Sequence, residues 1–197
     1  MIPIETLLAW GAVYKKIGPD EIIFREGSDC HFYHQLVSGS VRWVNINDDG
    51  GEFIQNMVQE GESFGEFPLF DDMPYAATAI TNKDTVIIRL HKSSFLEMLK
   101  LHPDIQMQFL KLFSERLRFK FLLTNEISSY GPVHRISSLF NYFKDSKKNI
   151  CTKCNMVKLT RQQIGDMTGL RVETVIRSIR QMEDKGELVI DHGKVYC

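Results

Sequence analysis

The sequence predicts an α+β chain: an N-terminal antiparallel β-roll of jelly-roll type, one long helix, and a C-terminal winged helix-turn-helix. Three observations predict it. Residues 13–91 are short apolar runs separated by Gly-containing acidic turns, residues 103–128 hold one unbroken helical pattern, and residues 160–196 read as helix, turn, helix, hairpin. The 197 residues, 43% hydrophobic and 25% charged with only 13 Gly and 6 Pro, suffice for two folded cores and exclude collagen, disorder and a disulfide-stapled miniature. No apolar stretch approaches the roughly 20 residues of a membrane span. Residues 1–10 carry no basic residue ahead of their apolar ones and no small-residue cleavage site, so a cytoplasmic chain with no membrane partner is expected.

In the first region, the runs at 21–24, 33–37, 40–46, 53–58 and 85–90 are of strand length. Arg25-Glu26-Gly27-Ser28-Asp29, Ser38-Gly39, Asn47-Asp48-Asp49-Gly50-Gly51 and Gln59-Glu60-Gly61-Glu62 supply the turns. Asp49-Gly50-Gly51 is the clearest hairpin, because Gly accepts positive φ without steric cost. Ser93 and Ser94 begin a helical pattern, and Pro103 with Asp104 suits the first turn of the long helix. Within it Ile105, Phe109, Leu112, Arg116, Phe119 and Leu123 recur at spacings of 4, 3, 4, 3 and 4, a heptad seam broken by one Arg. Such a helix is roughly 39 Å long, more than a small barrel covers, so a second copy of the chain is the expected cover. The alternative is a seam packed only on its own barrel. Ser129-Tyr130-Gly131-Pro132 marks a break, which gives a roll at 1–100, a dimerisation helix and hinge at 101–130, and a helix-turn-helix domain at 131–197.

Charge divides the chain in the same way. Residues 1–100 carry 8 Lys and Arg against 15 Asp and Glu, net −7, while residues 101–197 carry 16 against 10, net +6. Only the second half suits a polyanion. There Thr160-Arg161-Gln162-Gln163 fits a capping box opening a helix at 161–168, and Gly169 provides the turn. The following helix sets a Val175, Ile179, Met182 stripe against a polar face of Arg171, Glu173, Thr174, Arg177 and Arg180. Glu173 and Arg177, four apart, project together and can enter a major groove. Arg donates twice to guanine, a carboxylate accepts from cytosine, and each good contact discriminates by about 1–3 kcal/mol. The plainer alternative is that the two merely pair with each other, for a few tenths of a kcal/mol.

The chain resembles bacterial transcription regulators of the CRP/FNR type over nearly its whole length. The stretches that carry the resemblance are Gly39-Ser40-Val41, Gly61-Glu62-Ser63-Phe64-Gly65-Glu66 with Leu69-Phe70, Leu159-Thr160-Arg161-Gln162-Gln163-Ile164-Gly165, and Val172-Glu173-Thr174-Val175-Ile176-Arg177. It implies a cyclic-nucleotide-binding-like roll and a homodimer on an inverted-repeat duplex DNA operator, with RNA polymerase as a further partner. It implies base reading by Glu173 and Arg177 beside Val172, and backbone contacts from Thr160, Arg161, Gln162, Arg171, Thr174 and His192. Val172 stands where cAMP-responsive members have Arg, and Ile176 departs from the Ser common in the FNR branch.

By the same resemblance Gly65 and Glu66 match the ribose half of a cyclic-nucleotide site. Ala76 and Ala77 stand where the Arg-Ser pair for the cyclic phosphate belongs, which removes a charge-assisted hydrogen bond worth about 1.5–3 kcal/mol. A site formed by Gly65, Glu66, Tyr75, Ala76, Ala77 and Phe119 is expected to take an apolar effector other than cAMP, or none. Neither a cofactor nor a resident metal is expected. Cys151 and Cys154 form one Cys-x-x-Cys, with Lys153 and Lys158 the nearby groups able to lower a thiol pKa; free thiols are the expectation. The reading of another class is a jelly-roll metal-dependent enzyme with an attached helix-turn-helix, using His31 and His34. At i and i+3 on a strand those two imidazoles point to opposite faces, and no nucleophile motif accompanies them, so a non-enzyme is expected.

Overall fold

The computed structural model describes residues 2–197 and divides into two compact units, Met1–Ser114 and Glu115–Cys197. The division falls inside the long helix rather than at either of its ends.

The first unit is the expected antiparallel roll. After a short helix α1 (Ile4–Ala9), eight strands form two four-stranded sheets: β1 (Val13–Ile17), β2 (Ile22–Phe24), β3 (Phe32–Ser38), β4 (Val41–Ile46), β5 (Glu52–Val58), β6 (Ser63–Phe64), β7 (Thr78–Thr81) and β8 (Thr85–His91). The sheet orders are β1-β8-β3-β6 and β2-β7-β4-β5, so neighbours in space are often distant in sequence. At the β4–β5 hairpin, Gly50 takes φ 79° and the Asn47 side chain accepts from the Gly51 amide at 2.6 Å, which closes the turn. Helices α2 (Pro68–Asp71) and α3 (Lys92–Leu101) follow β6 and β8. The core is aromatic: Tyr33 stacks on Phe95 with centroids 4.8 Å apart, and Phe95 meets Phe109 edge-on at 5.6 Å.

Helix α4 (Pro103–Ser129) begins at the expected proline. Its seam corrects the sequence reading. Ile105, Phe109 and Leu112 are buried in the core of the first unit, and Phe119 and Leu123 are buried in the second. The 4-3 repeat is therefore covered by its own chain and is not left for a second copy. Other apolar side chains on α4 are exposed instead: Met107 at 52% and Leu110 at 59% in the first unit, Leu117 at 56% and Phe121 at 68% in the second.

The second unit contains α5 (Pro132–Ser146), α6 (Arg161–Thr168), α7 (Val172–Asp184) and a hairpin of β9 (Val189–Asp191) and β10 (Lys194–Tyr196). The α5 stripe Ile136, Leu139, Phe140 and Phe143 is buried, as are Ile164 and Met167 of α6 and Val175, Ile179 and Met182 of α7. Residues 145–156 are polar and Lys-rich, which suggests an exposed loop or hairpin; 145 and 146 instead end α5, and 150–157 form a tight turn closed by an Ile150–Val157 bridge and joined to β10 by a Met156–Tyr196 bridge.

Candidate nucleic-acid interface

The geometry of α6 and α7 is set by residues legible in the sequence. The capping box is complete: the Gln163 amide donates to the Thr160 hydroxyl at 3.1 Å, and the Thr160 amide donates to the Gln163 side chain at 3.0 Å. Gly169 ends α6 in the left-handed conformation at φ 66°. Gly165 permits the close approach of the turn to α6, because a Cβ there would lie 2.6 Å from the Leu170 carbonyl oxygen. A side chain at 165 would push that turn away from the helix.

With the Val175, Ile179 and Met182 face buried, Glu173 and Arg177 stand on the opposite, exposed face. Among the described residues neither has a hydrogen-bond or ion-pair partner, and they do not pair with each other. Together with Ile176, Arg180, Gln181 and Asp184 they line an open groove along α7. Of these, Arg180 was placed on this face by the sequence but given no role, and Gln181 and Asp184 were not singled out. Extending the i, i+4 and i, i+7 positions of Glu173 would have found them.

The positions expected at the DNA backbone lie at the start of α6, at the start of α7 and in the β9–β10 turn. Thr160 is exposed, but its hydroxyl is committed to the cap. Arg161 donates to the Gly193 carbonyl at 3.3 Å, which ties the start of α6 to the β9–β10 turn. Gln162 donates to Asp166 at 2.7 Å. Arg171 is the residue capping α7, Val172 and Thr174 are half-buried in its first turn, and His192 is exposed in the β9–β10 turn beside Asp191 at 3.6 Å.

In the roll the expected effector residues meet a different environment. Gly65 adopts φ 67°, and a Cβ on it would fall 2.4 Å from the Phe24 ring and 3.0 Å from Tyr75. Phe24 and Tyr75 stack at 3.8 Å and 9°, and Phe64 and His34 adjoin Phe24 at 5.9 and 5.5 Å. Aromatic carbon thus fills the space facing Gly65. Glu66 and Ala77 are buried; Ala76 is exposed, and its carbonyl accepts from Asn45 at 2.8 Å. Phe119 lies in the second unit, stacked on Tyr142 at 4.3 Å. Phe24, on a strand and 41 positions before Gly65, was not foreseen as a member of this cluster; no local spacing signals it. Burial holds the His34 imidazole far below its ordinary pKa, at about 3, with the charges of Arg89 and Lys15 acting in the same direction.

Residues 14–102 match the cyclic nucleotide-binding domain family. The chain is 28% identical over 174 residues to the cAMP-activated global transcriptional regulator CRP of Pasteurella multocida, covering 87% of this chain and 83% of that one. The CRP of Haemophilus influenzae matches at the same identity, with 77% of its length covered. The chain is similar to regulators of the CRP/FNR type over most of its length. Its fold agrees with FixK2 of Bradyrhizobium japonicum, at TM-score 0.79 and 22% identity over 94% of this chain and 91% of that one. It agrees equally with the c-di-GMP responsive global regulator CLP of Xanthomonas campestris, at TM-score 0.78 and 18% identity over 98% and 96%. By its fold the second unit contains a helix-turn-helix, formed by α6, the turn at Gly169 and α7. The enzyme reading is not favoured: the relatives matched over 87% of the chain are named as transcriptional regulators, and His31 is exposed while His34 is buried among aromatic rings. Among the described residues, no helix is long and apolar enough to cross a membrane.

Proposed function

We propose that the chain acts as a homodimer that reads an inverted-repeat duplex through Glu173 and Arg177 of each copy, and that its roll has lost the cyclic-nucleotide site. The observation that carries the first part is the pair itself, one helical turn apart, exposed and unpaired while the opposite face of α7 is fully packed. An unpaired guanidinium and carboxylate keep their hydrogen-bonding capacity for base edges. Thr160, Gln162, Arg171, Thr174 and His192 would position the helix on the phosphates, and Arg161 would do so while bracing the β9–β10 turn. RNA polymerase is the further partner of such a regulator.

The dimer contact is assigned to the exposed apolar residues of α4. Met107, Leu110, Leu117 and Phe121 follow at 3, 7 and 4 residues, the interval of a second heptad seam whose remaining position is Ser114. For the roll, the Phe24–Tyr75 stack beside Gly65 and the missing Arg-Ser pair support DNA binding that needs no cyclic nucleotide. Titration of fluorescent duplexes with full-length protein tests this reading. Nanomolar, salt-sensitive binding to a two-fold symmetric site without added nucleotide is expected, and a requirement for cAMP would refute it.

A further inference from the structure

We infer that Cys151 and Cys154 form a peroxide-sensitive dithiol site whose closure to a disulfide acts on the β9–β10 wing. The thiol chemistry stands on the local geometry; only its consequence for DNA rests on the proposed function.

The turn that carries the pair is tightly built. The Asn155 amide donates to the Cys151 carbonyl at 2.8 Å, the Cys151 amide donates to the Met156 carbonyl at 2.8 Å, and Asn155 takes φ 56°. Such a turn folds the chain back on itself over residues 151–156. The Cys154 thiol and the backbone amides of Lys153 and Cys154 donate to the Cys151 sulfur. These hydrogen bonds, with the Lys158 charge, lower the Cys151 thiol to about 7. A substantial part of Cys151 is therefore thiolate near neutral pH, and Cys154 is exposed beside it. The other two thiols are poorer competitors: Cys30 is buried, and burial raises Cys197.

The reaction that fits is oxidation by a hydroperoxide. The Cys151 thiolate attacks the peroxide oxygen, forming an S–O bond as the O–O bond breaks; the departing alkoxide takes a proton and leaves as the alcohol, or as water from hydrogen peroxide. Sulfur is then a sulfenic acid. The Cys154 sulfur displaces its hydroxyl, which leaves as water, and the S–S bond forms. Two thiols and one hydroperoxide become a disulfide, an alcohol and water, and a small thiol reductant reverses the change.

The turn is wired to the wing. The Val157 amide donates to the Val195 carbonyl at 2.9 Å and the Cys197 amide to the Asn155 carbonyl at 3.2 Å, so the middle of β10 and the residue that follows it are tied to residues 155–157. The far end of that hairpin is the Gly193 carbonyl that holds Arg161. A disulfide that reshapes 151–155 therefore pulls on the strand that places His192 and Arg161.

The test uses full-length protein carrying Cys30→Ser and Cys197→Ser. Iodoacetamide modification of Cys151 is expected to rise with pH about a midpoint near 7, and stoichiometric hydrogen peroxide is expected to remove two hydrogens and join the 151 and 154 peptides. Adding Cys154→Ser should leave a sulfenic acid that dimedone traps. A midpoint in the ordinary thiol range near 8.5, or oxidation only to disulfides between chains, overturns the site. On a selected duplex, oxidised protein is expected to bind several-fold more weakly, with recovery on reduction and no effect in Cys154→Ser. Equal binding before and after oxidation overturns the coupling to the wing. Failure of the reduced protein to bind any duplex counts against the proposed function and leaves the mass-spectrometric result standing.

Discussion

The roll and the helix-turn-helix treat their characteristic positions in opposite ways. In the roll, the place beside Gly65 is filled by the stacked rings of Phe24 and Tyr75, and Ala76 and Ala77 stand where the resemblance would put the phosphate-binding Arg-Ser pair. On α7, Glu173 and Arg177 are left without partners although each could satisfy the other. Filling a site with apolar side chains adds to stability and removes binding; leaving charges unpaired on a rigid helix gives up a small stabilisation and preserves recognition. On the proposed function, the contrast assigns recognition to the second unit.

The largest effect that sharpens this contrast concerns the dimer on which symmetric reading depends. Leu117→Glu should convert the dimer to monomer in sedimentation and lower operator affinity by about 10²-fold or more, since two linked half-site contacts become one. Glu at buried Leu112 would unfold the roll and is not an equivalent test. An unchanged sedimentation coefficient for Leu117→Glu would remove α4 from the interface.

Next in size is the difference between reading and positioning. Arg177→Ala should cost about 1–3 kcal/mol, or about 5- to 150-fold, on the matched duplex and almost nothing on a duplex altered at the base pair it reads. Arg161→Ala should weaken both duplexes alike and reduce the salt slope by about one. Parallel losses from both variants on both duplexes would contradict the division of roles.

Smaller is the acid response of the roll. The folded His34 titrates at about 3 and the unfolded one near 6.5. Between these values the unfolded chain binds a proton that the native state refuses, so stability falls as pH drops below 6.5, by up to about 1.4 kcal/mol per unit. Thermal unfolding of His34→Phe should show a shallower decline over that window, and an unaltered decline would show that other groups govern it. Smallest of all is the response to cAMP: no rise in melting temperature is expected at millimolar nucleotide, whereas a rise of several degrees would reopen the roll as a sensor.

Much of this was legible in the sequence because it is local. The capping box at Thr160 and Gln163, the Gly169 stop and the Asn47–Gly51 turn each depend on residues within five positions of one another. β7 gave no alternation to read because all four of its residues are buried. The α4 seam was misassigned for a physical reason: its sequence holds two interleaved repeats of the same period, one through Ile105 and Phe109, the other through Met107 and Leu110. Periodicity reports that a helix has an apolar face; only the tertiary contacts decide which repeat its own chain covers. Phe24 was missed because its contact with Gly65 crosses the roll, and no spacing rule connects them.

The central claim is tested most directly by selecting binding sites from a random pool of duplex DNA with the full-length chain and with Arg177→Ala, without nucleotide. The account requires a two-fold symmetric consensus with half-site centres about 34 Å apart, and loss of preference at one base pair in each half-site in the variant. An asymmetric consensus, or the same consensus from both proteins, would contradict it.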